Sequence, residues 1–174
     1  RPMIEMMWDS LIGSIGPLYE SAKTRDAVAD AAKGGFWGEL LSLLEENPDL
    51  VNSTRRGGDS LFTPLHQAAY TNAPLSVING LIALGALRTI ENARGERPVD
   101  VAERRGHLDL LEPLTPVLKH RVPPGVLRKI QLHFHAVIRH RMEEFRCDAN
   151  LTLPVLDPLL ELTTPKMWCP IPGM

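Results

Sequence analysis

Cysteine is scarce in this chain. Of 174 residues only Cys147 and Cys169 carry thiols. A small disulfide-stapled scaffold is cysteine-dense, so the two read as reduced thiols of a cytosolic protein. Long apolar runs are missing as well: none approaches the roughly 20 residues that span a bilayer. The opening RPMIEMMWDSLIGSIG has Glu5 and Asp9 among its apolar residues, which does not fit a secretory signal. The expected location is cytoplasmic. Aromatic residues make up 5% of the chain, and the platforms on which single-stranded nucleic acid stacks are lacking. There is no serine or cysteine nucleophile motif, no Walker loop and no paired-carboxylate constellation. The chain therefore reads as a non-enzyme with no cofactor.

What the sequence does have is a motif that returns. Thr63-Pro64-Leu65-His66-Gln67-Ala68-Ala69 has a worn copy 34 positions later, with Arg97 under Thr63, Pro98 under Pro64 and Ala102 under Ala68. A fixed period in the thirties points to stacked supersecondary units. Thr63 is placed to cap a helix through its hydroxyl. Pro64 follows at the first helical position, where its missing N–H costs nothing. Ala68 and Ala69 are small enough to let another helix approach. Asn72 suits the left-handed end of a short helix. Val77, Ile78, Leu81, Ile82 and Leu84 then recur at helical spacing until Gly85-Ala86. In the later copy Asn92 and Gly95 supply turn chemistry, and Ala102, Leu108, Leu111 and Leu114 keep the pattern. There Arg97 and Asp100 replace Thr63 and His66, which predicts an ion pair at the same spacing. A less regular first copy places Ala31-Ala32, Leu40, Leu41 and Leu44 at an offset of 37, with Ser53–Asp59 as a longer tip.

At these residues the chain resembles the ankyrin-repeat family. The family pattern is a turn, then Thr-Pro-Leu-His-x-Ala-Ala, Gly-His, a Val-x-x-Leu-Leu helix and Gly-Ala. The likeness covers roughly residues 26–115. TPLHQAA with LGA is its most specific part. Two departures are Leu61, where the family turn prefers Gly, and Arg97, where it prefers Thr. His66 is then a structural histidine bonding near the turns, not a catalytic base.

The expected fold is all-α: an ankyrin-type helical solenoid of about three repeats. N-terminal capping helices would occupy 1–25, repeats 26–118, and a long capping helix with an apolar, proline-rich tail 119–174. Ile4, Met7, Trp8, Leu11, Ile12 and Ile15 form a helical stripe in the first segment. PLYESA begins another short helix. Pro113 falls inside the second helix of the third repeat, where an interior proline costs about 3 kcal/mol, so that repeat should be distorted or shortened. Beyond it, Leu127, Ile130, Phe134, Val137, Ile138 and Phe145 fall on one helical face, which should pack on the last repeat. The apolar end at Trp168, Ile171 and Met174 reads as a cut through a larger domain.

Charge is uneven. Residues 119–146 hold 7 basic and 2 acidic side chains, net +5, in a chain of net charge −2. Arg128, His135, Arg139 and Arg146 are expected on the outer face of the long helix. His133, His135 and His140 lack the i, i+4 spacing of a helical metal pair, so no metal site is expected. Arg141 falls within the apolar stripe, with Glu144 as its expected partner. Two alternatives stay open on this segment: nucleic acid or an acidic partner bound through Arg128, Arg139 and Arg146, and a regulatory part of an enzyme whose catalytic residues lie in or beyond the C-terminal segment. The leading expectation is a protein-interaction module of adaptor, inhibitor or immunity type. By the resemblance, its partner protein would meet the turn tips and first helices. The implied contact residues are Arg55, Arg56, Asp59, Ser60, Phe62, Tyr70, Thr71, Arg94, Glu96, Arg104 and Arg105, with Phe62 and Tyr70 as anchors.

Overall fold

The computed structural model describes residues 8–9, 19–55, 57–144 and 153–168. These are helical apart from turns and one parallel two-residue pairing, so the fold is all-α. The chain divides into two compact units: Gly13–Val117, and Leu118–Met174 together with Arg1–Ile12.

The first unit holds three successive helix pairs: α1 (Tyr19–Gly34) with α2 (Trp37–Glu46), α3 (Pro64–Tyr70) with α4 (Leu75–Ala83), and α5 (Pro98–Arg105) with α6 (Leu111–Leu114). α1 packs on α3 and α3 on α5, while α2 packs on α4 and α4 on α6. First helices thus form one layer and second helices another. The reason is visible in the buried side chains. The small residues Ala31-Ala32, Ala68-Ala69 and Val101-Ala102 face the neighbouring pair, all at 2% exposure or less. Leu40 and Leu44, Ile78 and Leu81, and Leu110 and Leu114 fill the second layer. Each such leucine or isoleucine contributes roughly 1.5–3 kcal/mol on burial.

Local chemistry sets the boundaries. Thr63 caps α3 with a reciprocal box: its hydroxyl accepts from the His66 N–H, and the Thr63 N–H donates to the His66 ring at 3.3 Å. Asn72 ends that helix at φ 56°, and Gly106 ends α5 at φ 76°. At Arg97 the cap differs in kind. A guanidinium has no acceptor, so Asp100 alone completes the box, accepting the Arg97 N–H at 2.8 Å. Pro113 shortens the third pair as its position implies. Its second helix is a 3-10 turn at Leu108–Leu110 followed by the single turn of α6. The carbonyl of Pro113 is recovered by Arg88 Nη1 at 3.0 Å.

Two expectations about the N-terminal segment change. Trp8 and Asp9 form a short strand, β1 (Trp8–Asp9), parallel to β2 (Met167–Trp168), rather than part of a helix. The rest of the expected stripe, Ile4, Met7, Leu11, Ile12 and Ile15, lies outside the described residues. The short helix expected from PLYESA and the first helix of the first repeat are one 16-residue helix, α1, running across the 25/26 boundary. No Gly or Pro interrupts it from Tyr19 to Lys33, and Arg25 is buried within it. Arg25 Nε donates to the Thr54 carbonyl at 2.7 Å, so this side chain ties the helix to the chain after α2.

In the second unit α7 (Pro124–Glu144) packs against its own tail. Gln131 Oε1 accepts the Leu156 N–H at 2.9 Å, and the His135 ring donates to the Pro154 carbonyl at 2.6 Å. Leu160 O accepts from the N–H groups of Lys119 and His120. Ile138, Leu156 and Leu162 are buried there. The inward face of α7 therefore runs through Leu127, Gln131, Phe134, His135 and Ile138. Ile130 and Val137 are not on it: they are 51% and 56% exposed. An apolar stripe does not describe this face, because the helix turns inward two polar side chains, Gln131 and His135, that bond the tail. Phe145 lies outside the described residues. No helix among the described residues is long and apolar enough to cross a membrane.

Candidate functional site

The tips between pairs are laced to one another by backbone and buried polar groups. Ser60 O accepts the Ala93 N–H at 3.0 Å, joining the turn before α3 to the turn before α5. Asn92 organises the latter: its Oδ1 accepts from the N–H groups of Arg94 and Glu96, at 2.8 and 3.0 Å. Gly95 takes φ 72° at the apex, where a side chain would be strained. Leu61 adopts φ 53° just before α3, a left-handed conformation costing a leucine roughly 1–2 kcal/mol.

Beneath the tips lies His66, fully buried. Its Nδ1 accepts from the Thr63 hydroxyl at 2.8 Å, and its Nε2–H donates to the Glu96 carbonyl at 3.0 Å. Burial pushes its pKa down to about 4, against weaker opposing pulls from the Glu96 carbonyl and the carboxylates of Glu96 and Asp100. The ring is neutral and both nitrogens are used, so His66 is a strut between α3 and the next tip. His107, just after α5, ties back to α3, its Nδ1 lying 2.9 Å from the Ala69 carbonyl.

On this frame the structure sets the expected contact residues in two linked groups. Phe62 and Tyr70 meet edge to face with centroids 6.0 Å apart, and the Arg105 guanidinium lies 4.4 Å above the Tyr70 ring. Arg104 clasps Glu96 with two bonds, at 2.6 and 3.3 Å, and Asn92 Nδ2 donates to the same carboxylate. The Arg104 hydrogen bond, then that of Asn92, holds the Glu96 carboxyl below the usual carboxylate range. Arg94 is exposed at the turn apex. Thr71 is exposed too, but its hydroxyl donates back to Gln67 O at 2.9 Å. The second group is Arg55, paired with Asp30, together with exposed Asp59 and Ser60. Arg56 lies outside the described residues.

A recess of about 310 Å³ opens beside this second group. Ala29, Ala32 and Lys33 of α1 form one wall, Phe62, Pro64 and Gln67 the other, and Arg55, Asp59 and Ser60 the rim. Of these, sequence reasoning missed Ala29, Ala32, Lys33, Pro64 and Gln67 as contact residues. The 37-residue offset was a signal that could have found Lys33, because it places Lys33 in register with Tyr70.

The basic segment is less concentrated than expected. Arg128 and Arg139 are exposed, but His135 faces inward to Pro154 and leaves the outer face; Arg146 lies outside the described residues. His133 bonds Lys129 O and His140 approaches Glu144, so the three histidines of α7 serve three separate partners. Arg141 pairs with Glu144 at 2.8 Å.

No family model matches the chain. A solved structure of the predatory endopeptidase Bd0816 from Bdellovibrio bacteriovorus in complex with immunity protein Bd3460 aligns with 51% of this chain at 27% identity and a TM-score of 0.42. The aligned part spans 43% of that chain.

Proposed function

We propose that the first unit is an ankyrin-like protein-interaction module that holds a partner protein against its turn tips and first helices, as an adaptor, inhibitor or immunity-type protein. One observation carries this reading: the Phe62–Tyr70–Arg105 stack stands partly exposed at its centre, with its side chains already ordered by one another. Aromatic and arginine side chains dominate interface hot spots, and a group fixed before binding loses little entropy on contact. The Arg104–Glu96 clasp next to it keeps the adjoining tip rigid. These identities suit a protein surface better than a cofactor.

The test is affinity capture from the native host with the wild-type chain and with Tyr70→Ala/Arg105→Ala, followed by mass spectrometry. Loss of one or a few specific proteins from the variant supports the module. Recovery of the same proteins in equal yield refutes it. Neutralising Arg128 and Arg139 is expected to leave that capture unchanged.

A further inference from the structure

We infer that the recess between α1 and α3 is an anchor pocket for one apolar side chain of a partner protein, flanked in the partner by a carboxylate. This rests on the proposed interaction module and names the chemistry of one of its subsites.

The recess exists because a side chain is missing. In the register that aligns Ala31-Ala32 with Ala68-Ala69, Ala29 stands where the next pair has His66. The His66 ring fills the space beside its own helix and bridges to the carbonyl of Glu96 in the following tip. The residue corresponding to Glu96 one unit earlier is Phe62. Ala29 has a methyl group where that bridge would start, and Ala29 and Phe62 both line the hollow. What remains is a gap of about 310 Å³, near the lower end of the range for ligand sites and roomy enough for a large apolar side chain. Its walls include Ala29, Ala32, Phe62 and Pro64, which favour an apolar occupant.

Charge selects the flanking group. The lining carries two cations, Lys33 and Arg55, against one anion, Asp59. Arg55 is answered by Asp30, while Lys33, exposed near the end of α1, has no ion-pair partner among the described residues. A carboxylate beside the inserted side chain meets Lys33 without displacing an internal pair.

The protein supplies its own plug as a test. Ala29→His copies into the first pair what the second pair has, and it should fill the hollow and reach the Phe62 carbonyl. Displayed random dodecamer peptides would be selected on the full wild-type chain. Their binding would then be measured against Ala29→His, Lys33→Glu and Tyr70→Ala by fluorescence anisotropy, with thermal melts confirming that each variant folds. Ala29→Leu replaces Ala29→His if the histidine variant does not fold. The inference expects selected peptides with an apolar residue next to Asp or Glu, weakened about tenfold or more by the plug and about fivefold by Lys33→Glu. Peptides that ignore both changes but fail on Tyr70→Ala overturn the pocket and leave the module standing. Peptides indifferent to all three variants, or no selected peptide at all, overturn both.

Discussion

His66 should make this protein lose stability in mild acid, and the amount can be worked out. The folded ring has a pKa of about 4 against 6.5 for an exposed imidazole. The folded value is the lower one. As pH falls through 6.5 the unfolded chain takes up a proton that the folded chain refuses, and stability drops until about pH 4, where the folded ring also titrates. At about 1.4 kcal/mol per pH unit the full loss is roughly 3 kcal/mol, of which about 2 kcal/mol falls between pH 7 and pH 5. That is a large part of the stability of a small domain. Urea unfolding at those two pH values, on the wild type and on His66→Gln, gives the difference directly. Other titrating groups act equally in both proteins and cancel. The glutamine variant should start less stable and show a pH dependence smaller by about 2 kcal/mol. If it does not fold, the His66 ring can be followed by NMR in the wild type. An ordinary titration near 6.5, or an identical pH dependence in the two proteins, refutes the buried neutral strut.

Other outcomes follow from single contacts. Asn52 bridges successive pairs, donating to Gly85 O at 3.0 Å and accepting from the Leu87 N–H at 2.8 Å. Asn52→Ala should therefore cost about 2 kcal/mol in chemical unfolding. Asn72 is exposed at φ 56°, so Asn72→Ala should destabilise by about 1 kcal/mol while Asn72→Gly stays within a few tenths, read as a shift in melting temperature. The exposed Arg141–Glu144 pair should show a coupling below about 0.5 kcal/mol in a double-mutant cycle.

The sequence by itself determined the helix pairs of the first unit and most of their ends. Capping, turn and period signals act within a few residues: Thr63 and Pro64 open α3, Asn72 closes it, and Pro113 cuts the third pair short. It also held most of the candidate contact residues, because the tips repeat in register. Tertiary structure alone decided three things. It turned α7 so that Gln131 and His135 face inward, since their partners, Leu156 and Pro154, lie 19 or more residues away. It drew Trp8 into a strand whose mate is beyond residue 166. It opened the recess beside Ala29: the repeat register shows that Ala29 stands where the next pair has His66, but whether the neighbouring tip fills the space left is decided by packing.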